Sequence, residues 1–161
     1  MKIVVAGHWE LSWNTPIKEA ELWNLVLRDF AIRDWYMWPV SGIKHNEQNT
    51  VHLHERDSFD QILNENKDTT HVYFEPYNPT SPHNYIDLRE LEHPKNALYI
   101  FGSVGYNPVP KHKREGKDLS VVIPTIENKG VPWPHQCLAI CLYDRLVKEK
   151  KGEIIDFSKN F

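Results

Sequence analysis

Short β-rich apolar runs recur through the chain, and segments of helical period separate most of them. The runs fall at 2–7 (KIVVAG), 34–38 (DWYMW), 50–54 (TVHLH), 70–74 (THVYF), 97–102 (ALYIFG) and 119–124 (LSVVIP). Helix-like segments fall at 16–31, 58–65, 85–91 and 134–150. Strands separated by helices need crossover connections, which make neighbouring strands parallel. The pattern therefore predicts an α/β fold, a mostly parallel sheet with helices on both faces. Residues 3–6, 98–101 and 120–123 are almost continuously apolar, as strands covered by helices on both faces must be, and are expected inside the sheet.

The 161 residues fit one domain spanning 1–161. At 40% hydrophobic and 25% charged residues, the composition is globular and unlike that of a disordered chain. A net charge of -3 gives no overall attraction to polyanions, so any nucleic-acid contact has to come from a local patch. No apolar run approaches the roughly 18 residues that span a bilayer, and the N-terminus lacks a signal-peptide core. A cytoplasmic protein with no membrane partner is expected.

Pro16 suits the first position of a helix, where its missing N–H costs nothing, and Thr15 can cap it. Ala20, Trp23, Val26, Leu27 and Phe30 then form a stripe at helical spacing, a core face. The last helix is expected to start near Pro134 and stop near Gly152. Every residue from Cys137 to Leu142 is apolar, a stripe too wide for one sheet to cover, and a second copy of the chain is the economical cover. Cys137 and Cys141 read as small buried apolar residues.

One buried strand ends in Gly102-Ser103-Val104-Gly105 and a second in Ile123-Pro124. A Pro-rich turn at 130–134 then leads into the last helix, whose apolar run is followed by Tyr143-Asp144. In order and spacing this resembles the three C-terminal motifs of the SPOUT RNA methyltransferases. The resemblance covers about the last 65 residues, and the first 40 more loosely. It implies a C-terminal trefoil knot and an S-adenosyl-L-methionine site held mainly by backbone groups of Phe101, Gly102, Ser103, Gly105, Ile123, Pro124, Val131 and Trp133. It also implies a homodimer that methylates tRNA or rRNA. The chain departs from the family at polar positions: Val104 stands where the family has Glu, and Val131 and Trp133 where it has Ser and Asn. A catalytically degenerate dimer that binds RNA or a protein is the alternative implied.

Methyl transfer from a sulfonium is an in-line displacement, so alignment and water exclusion supply much of the rate, and a base is needed mainly for a hydroxyl acceptor. His135, at the start of the last helix, can accept a proton, and Glu127, in the preceding loop, can orient a substrate; capping and solvation are their plainer uses. Lys111, Lys113, Arg114 and Lys117 form the one basic cluster, suited to RNA phosphates beside the aromatic faces of Tyr106 and Trp133, with a solvated loop equally open. Trp9 and Trp13 follow the first strand and suit either base stacking or core closure. His52 and His54 share a strand face, but no third ligand stands at a diagnostic spacing, and no metal is expected.

Overall fold

The computed structural model describes residues 1–10, 16–42, 51–76, 78, 84–103, 106–125 and 133–150. Seven strands make one sheet: β1 (Ile3–His8), β2 (Asp34–Trp38), β3 (His52–Glu55), β4 (Thr70–Phe74), β5 (Ile86–Asp87), β6 (Ala97–Phe101) and β7 (Leu119–Val122). The helices are α1 (Pro16–Asp29), α2 (Phe59–Glu65), α3 (Val109–His112) and α4 (Pro134–Lys150). Strand order is β3-β2-β1-β6-β4-β7-β5 and every pairing is parallel, as the alternation of strands and helices requires. The three most apolar runs all lie inside the sheet, and each residue of β6 is buried.

Helices cover both faces. Trp23 and Leu27 of α1 and Leu138, Cys141 and Leu142 of α4 share a core with Val5, Trp35, Tyr99 and Phe101. On the other face Phe59 and Ile62 of α2 and Val109 of α3 pack with Val4, Ala6, Tyr73, Leu98 and Ile100. Gly7 is what lets α1 approach: a Cβ there would stand 2.7 Å from the edge of the Trp23 ring. The freed space lets Trp23 stack on Trp35, with ring centroids 5.4 Å apart and planes at 6°. Of the stripe on α1, Ala20, Trp23 and Leu27 are fully buried, while Val26 and Phe30 are partly exposed at its margin. Trp9 is a core residue, 3% exposed, so of its two expected uses the structure selects core closure.

One local expectation is corrected. Residues 85–91 form the two-residue strand β5 and a 3-10 turn at Leu88–Glu90, not a helix. Ile86 pairs with Val121 of β7, and the Asp87 carboxylate caps the turn by accepting from the Arg89 N–H. The loop between β6 and β7 contains α3, whose Val109 N–H donates to the Asn107 side chain.

Around β6 and the segment leading into it a polar network fastens α4 to the sheet. Arg145 is 3% exposed and donates to the Tyr99 hydroxyl at 2.8 Å and the Pro94 carbonyl at 2.9 Å. His93 bridges Tyr99 and Asp144 at 2.7 and 2.9 Å, and Lys148 donates to the Leu88 and Leu91 carbonyls. Burial raises the Tyr99 phenol and Cys141 thiol far above their ordinary ranges and pushes the Cys137 thiol up to about 12, so both cysteines are inert apolar filling, as their setting in the sequence suggests.

Candidate functional site

Because all strands are parallel, the carboxyl ends of β1, β6, β4 and β7 open onto one end of the sheet, where α/β folds place their ligands. The residues gathered there are His8, Glu75, Gly102, Ser103, Ile123 and Pro124. His8 Nδ1 lies 2.7 Å from Ser103 Oγ, and the imidazole stacks on Tyr106 at 4.5 Å and meets Trp38 edge-on at 5.5 Å. Burial lowers the His8 pKa and so favours the neutral ring, against the opposing pull of Glu10.

After β6 the chain turns back at once. Ser103 N–H donates to the Tyr106 carbonyl at 3.0 Å, and Tyr106 N–H returns a bond to Ser103 at 3.2 Å. Gly102 sits against this bridge, and a Cβ there would fall on the Tyr106 carbonyl oxygen. Glycine is thus required by the chain's own backbone, and a larger residue at 102 would disturb the turn itself before it reached a ligand. The Phe101 ring is core, 2% exposed and stacked on Phe74 at 4.8 Å, which leaves its backbone as the part available to a ligand. Ile123 is half-buried and Pro124 exposed.

Glu75 follows β4. Its Oε2 accepts from Asn107 Nδ2 at 3.3 Å, whereas Oε1 is buried with no hydrogen-bond partner among the described residues. The open end also carries a bridge between helices: His135 Nδ1 lies 2.7 Å from Glu19 Oε1, which accepts from Trp23 Nε1 at 3.3 Å. Glu19 is 8% exposed.

No protein-family model matches the chain, and no curated protein does so either. Solved structures match over nearly its whole length. A TrmH/SpoU tRNA modifying enzyme from A. aeolicus superposes with a TM-score of 0.66 at 19% identity, covering 92% of this chain and 77% of that one. A protein described through the 2-OH methylation of tRNA gives 0.68 at 9% identity, with coverage of 93% and 92%. The SpoU methyltransferase AviRb from Streptomyces viridochromogenes, solved with AdoMet (S-adenosylmethionine), gives 0.66 at 9% identity, with coverage of 94% and 59%. The chain has the SpoU fold.

Within the SpoU fold, Phe101, Gly102, Ser103, Ile123 and Pro124 fall at the shared carboxyl end of the sheet. Gly105, Glu127 and Val131, expected at the site, lie outside the described residues, as do Val104, Trp13 and Thr15. Trp133 precedes α4 and is 49% exposed, its N–H donating to Gln136.

The basic cluster divides. Lys111 and Lys117 are exposed and Lys113 half-buried. Arg114 instead clamps Asp118, with Nε 3.0 Å from both carboxylate oxygens and Nη2 2.7 Å from Oδ1, and it also donates to the Thr69 carbonyl at 3.2 Å. Burial would raise the Asp118 pKa, but the His71 ring 3.6 Å away and the hydrogen bonds from Arg114 outweigh it and hold the carboxyl well below its usual range. His54 pairs with Asp34 at 2.9 Å and stacks on Tyr36, while His52 is exposed. Among the described residues no group of three His, Cys, Asp or Glu is placed to hold a metal.

Sequence reasoning missed His8, Glu19 and Glu75. Each is an isolated polar residue bordering an apolar stretch, and the only signal was its place at the carboxyl end of a strand or on the first turns of a helix.

Proposed function

We propose that the chain is a SpoU-type RNA methyltransferase that binds S-adenosyl-L-methionine at the carboxyl ends of β6, β4 and β7 and methylates tRNA or rRNA. The observation that carries this reading is the convergence of Gly102, Ser103, Glu75, Ile123 and Pro124 there, in a fold that elsewhere has been solved with that cofactor. The buried, unpartnered Oε1 of Glu75 fits a ligand that brings a hydrogen-bond donor or a positive charge. When bound, the cofactor supplies an electrophilic methyl group.

The protein's own groups do the rest. Backbone amides and carbonyls of Gly102, Ser103, Ile123 and Pro124, joined by Gly105, Val131 and Trp133, hold the nucleoside. Glu19 accepts the His135 Nδ1–H, which leaves Nε2 with the lone pair to take a proton from the acceptor, while Glu127 orients it. Lys111, Lys113 and Lys117 meet phosphates of the RNA.

The remaining parts of the reading belong with it: one cytoplasmic domain of residues 1–161, a C-terminal trefoil knot, and a homodimer. For the dimer, α1 leaves Ile17, Leu22 and Leu25 exposed, and α4 leaves Ile140, Tyr143 and Val147 exposed. No helix of the described residues is long and apolar enough to cross a membrane.

Titration calorimetry of the protein with S-adenosylmethionine tests the reading. Saturable binding, followed by transfer of labelled methyl groups to total tRNA or rRNA, is expected. An absence of binding heat would favour the degenerate RNA- or protein-binding dimer, the reading that Val131 and Trp133 at polar family positions otherwise support.

A further inference from the structure

Three carboxylates are buried among the described residues: Glu19, Glu75 and Asp118. Buried charges are ordinarily paired, because an ion taken out of water loses more solvation than neutral contacts restore. Glu19 has His135 and Asp118 has Arg114 and His71. Glu75, with 7% of its surface exposed, has only the neutral Asn107 amide on one oxygen and no partner on the other.

Its position gives that deficit a meaning. Phe74 pairs with Phe101 on one side and Val121 on the other, so Glu75 stands one residue further on, between Gly102 and Val122. Its own N–H donates to the Val121 carbonyl at 3.0 Å, which fixes the backbone at the point where β4 ends. The lone oxygen is therefore set among the segments that would surround the cofactor. The fold shows no use for a carboxylate there, since a neutral side chain would satisfy Asn107 as well.

We infer that Glu75 is a binding residue that pairs with a cationic group of the cofactor, completing a buried ion pair that the protein leaves half made. The inference rests on reading this end of the sheet as the S-adenosylmethionine site. Within that ligand the positive charge comes from the sulfonium or from the α-ammonium. If it is the sulfonium, the pairing ends with the reaction: the C–S electron pair returns to sulfur, the product is a neutral thioether there, and Glu75 no longer holds it.

The test is calorimetric titration of the parent protein and Glu75→Gln with three ligands: S-adenosylmethionine, S-adenosylhomocysteine and methylthioadenosine, the last carrying neither cation. Glutamine keeps the shape and can still accept from Asn107. Glu75→Gln is expected to weaken S-adenosylmethionine by at least about tenfold, because a charge-assisted bond is lost, and to leave methylthioadenosine within about twofold. An equal loss for S-adenosylhomocysteine assigns the pairing to the ammonium, and an unchanged affinity assigns it to the sulfonium. Equal losses for all three ligands, or for none, overturn the inference. The parent protein alone gives a second check that no variant can confound: it must prefer S-adenosylmethionine to methylthioadenosine, and equal affinities also overturn the inference. If the parent binds none of the three, the cofactor reading itself fails and this inference falls with it. Binding with an unchanged Glu75→Gln profile refutes the inference alone.

Discussion

His135 Nδ1 and Glu19 Oε1 stand 2.7 Å apart, so the first turn of α4 is tied to the first turns of α1 across the open end of the sheet. The bond fixes the ring and its tautomer together. Replacing His135 with Ala is expected to slow single-turnover methyl transfer to RNA by about 10²–10⁴-fold, the usual contribution of a positioned base, while cofactor affinity stays unchanged. Glu19→Gln should slow it less, because Gln still accepts from Nδ1–H. Quench-flow with labelled cofactor measures both; a full-rate His135→Ala variant removes the residue from the chemistry.

The basic cluster should separate into two behaviours. Lys113→Ala and Lys117→Ala are each expected to lower the slope of log K against log salt for RNA binding by about 0.7–1, with stability unchanged. Arg114→Ala should instead destabilise the fold by about 1–3 kcal/mol, because it strips hydrogen bonds from a buried carboxylate. The partial exposure of Arg114 places the loss toward the lower figure. Filter binding at several salt concentrations and urea titration distinguish the two.

Acid should weaken the fastening of α4. Burial lowers the His93 pKa below its ordinary value of 6.5, although the hydrogen bond to Asp144 opposes the shift. The unfolded chain therefore takes up this proton at a higher pH than the folded one. The stabilisation is complete above about pH 6.5 and is lost as the pH falls through the lower folded-state value. Thermal melts between pH 8 and pH 5 should show the parent losing more Tm than His93→Gln, which has no proton to bind there. Parallel losses would mean that His93 does not contribute.

The apolar residues left on α4 should report assembly. Val147, 47% exposed, is not needed by the core, so Val147→Glu is expected to leave the circular dichroism spectrum unchanged and shift a dimer to monomer in sedimentation velocity. A parent protein that is monomeric at micromolar concentration refutes the dimer.

Much of the fold was legible because periodicity alone separates strands from helices: α4 begins at Pro134, and the buried runs at 98–101 and 120–123 do lie inside the sheet. Residues 85–91 misled because a two-residue strand followed by a 3-10 turn has too few residues to show any period. The site was legible where backbone does the work, since Gly102 and Ile123-Pro124 mark strand ends directly. Side-chain partnerships were not. His135 and Glu19 are 116 residues apart, and Arg114 reads as a surface cation until Asp118, four residues on, proves to be buried beneath it. Gly102 was legible as a strand end, but the need for glycine there comes from the return of Tyr106 against it.

The Arg145 network grips Pro94, ahead of β6, and Tyr99 within it, while His8, Glu75 and Ser103 occupy the carboxyl ends of the same sheet. Register and helix docking are thus anchored apart from the strand ends where a ligand would be read. Substitutions at the reading end can accumulate without loosening the anchor, which makes the molecule a scaffold whose specificity can be rewritten at little risk to its folding.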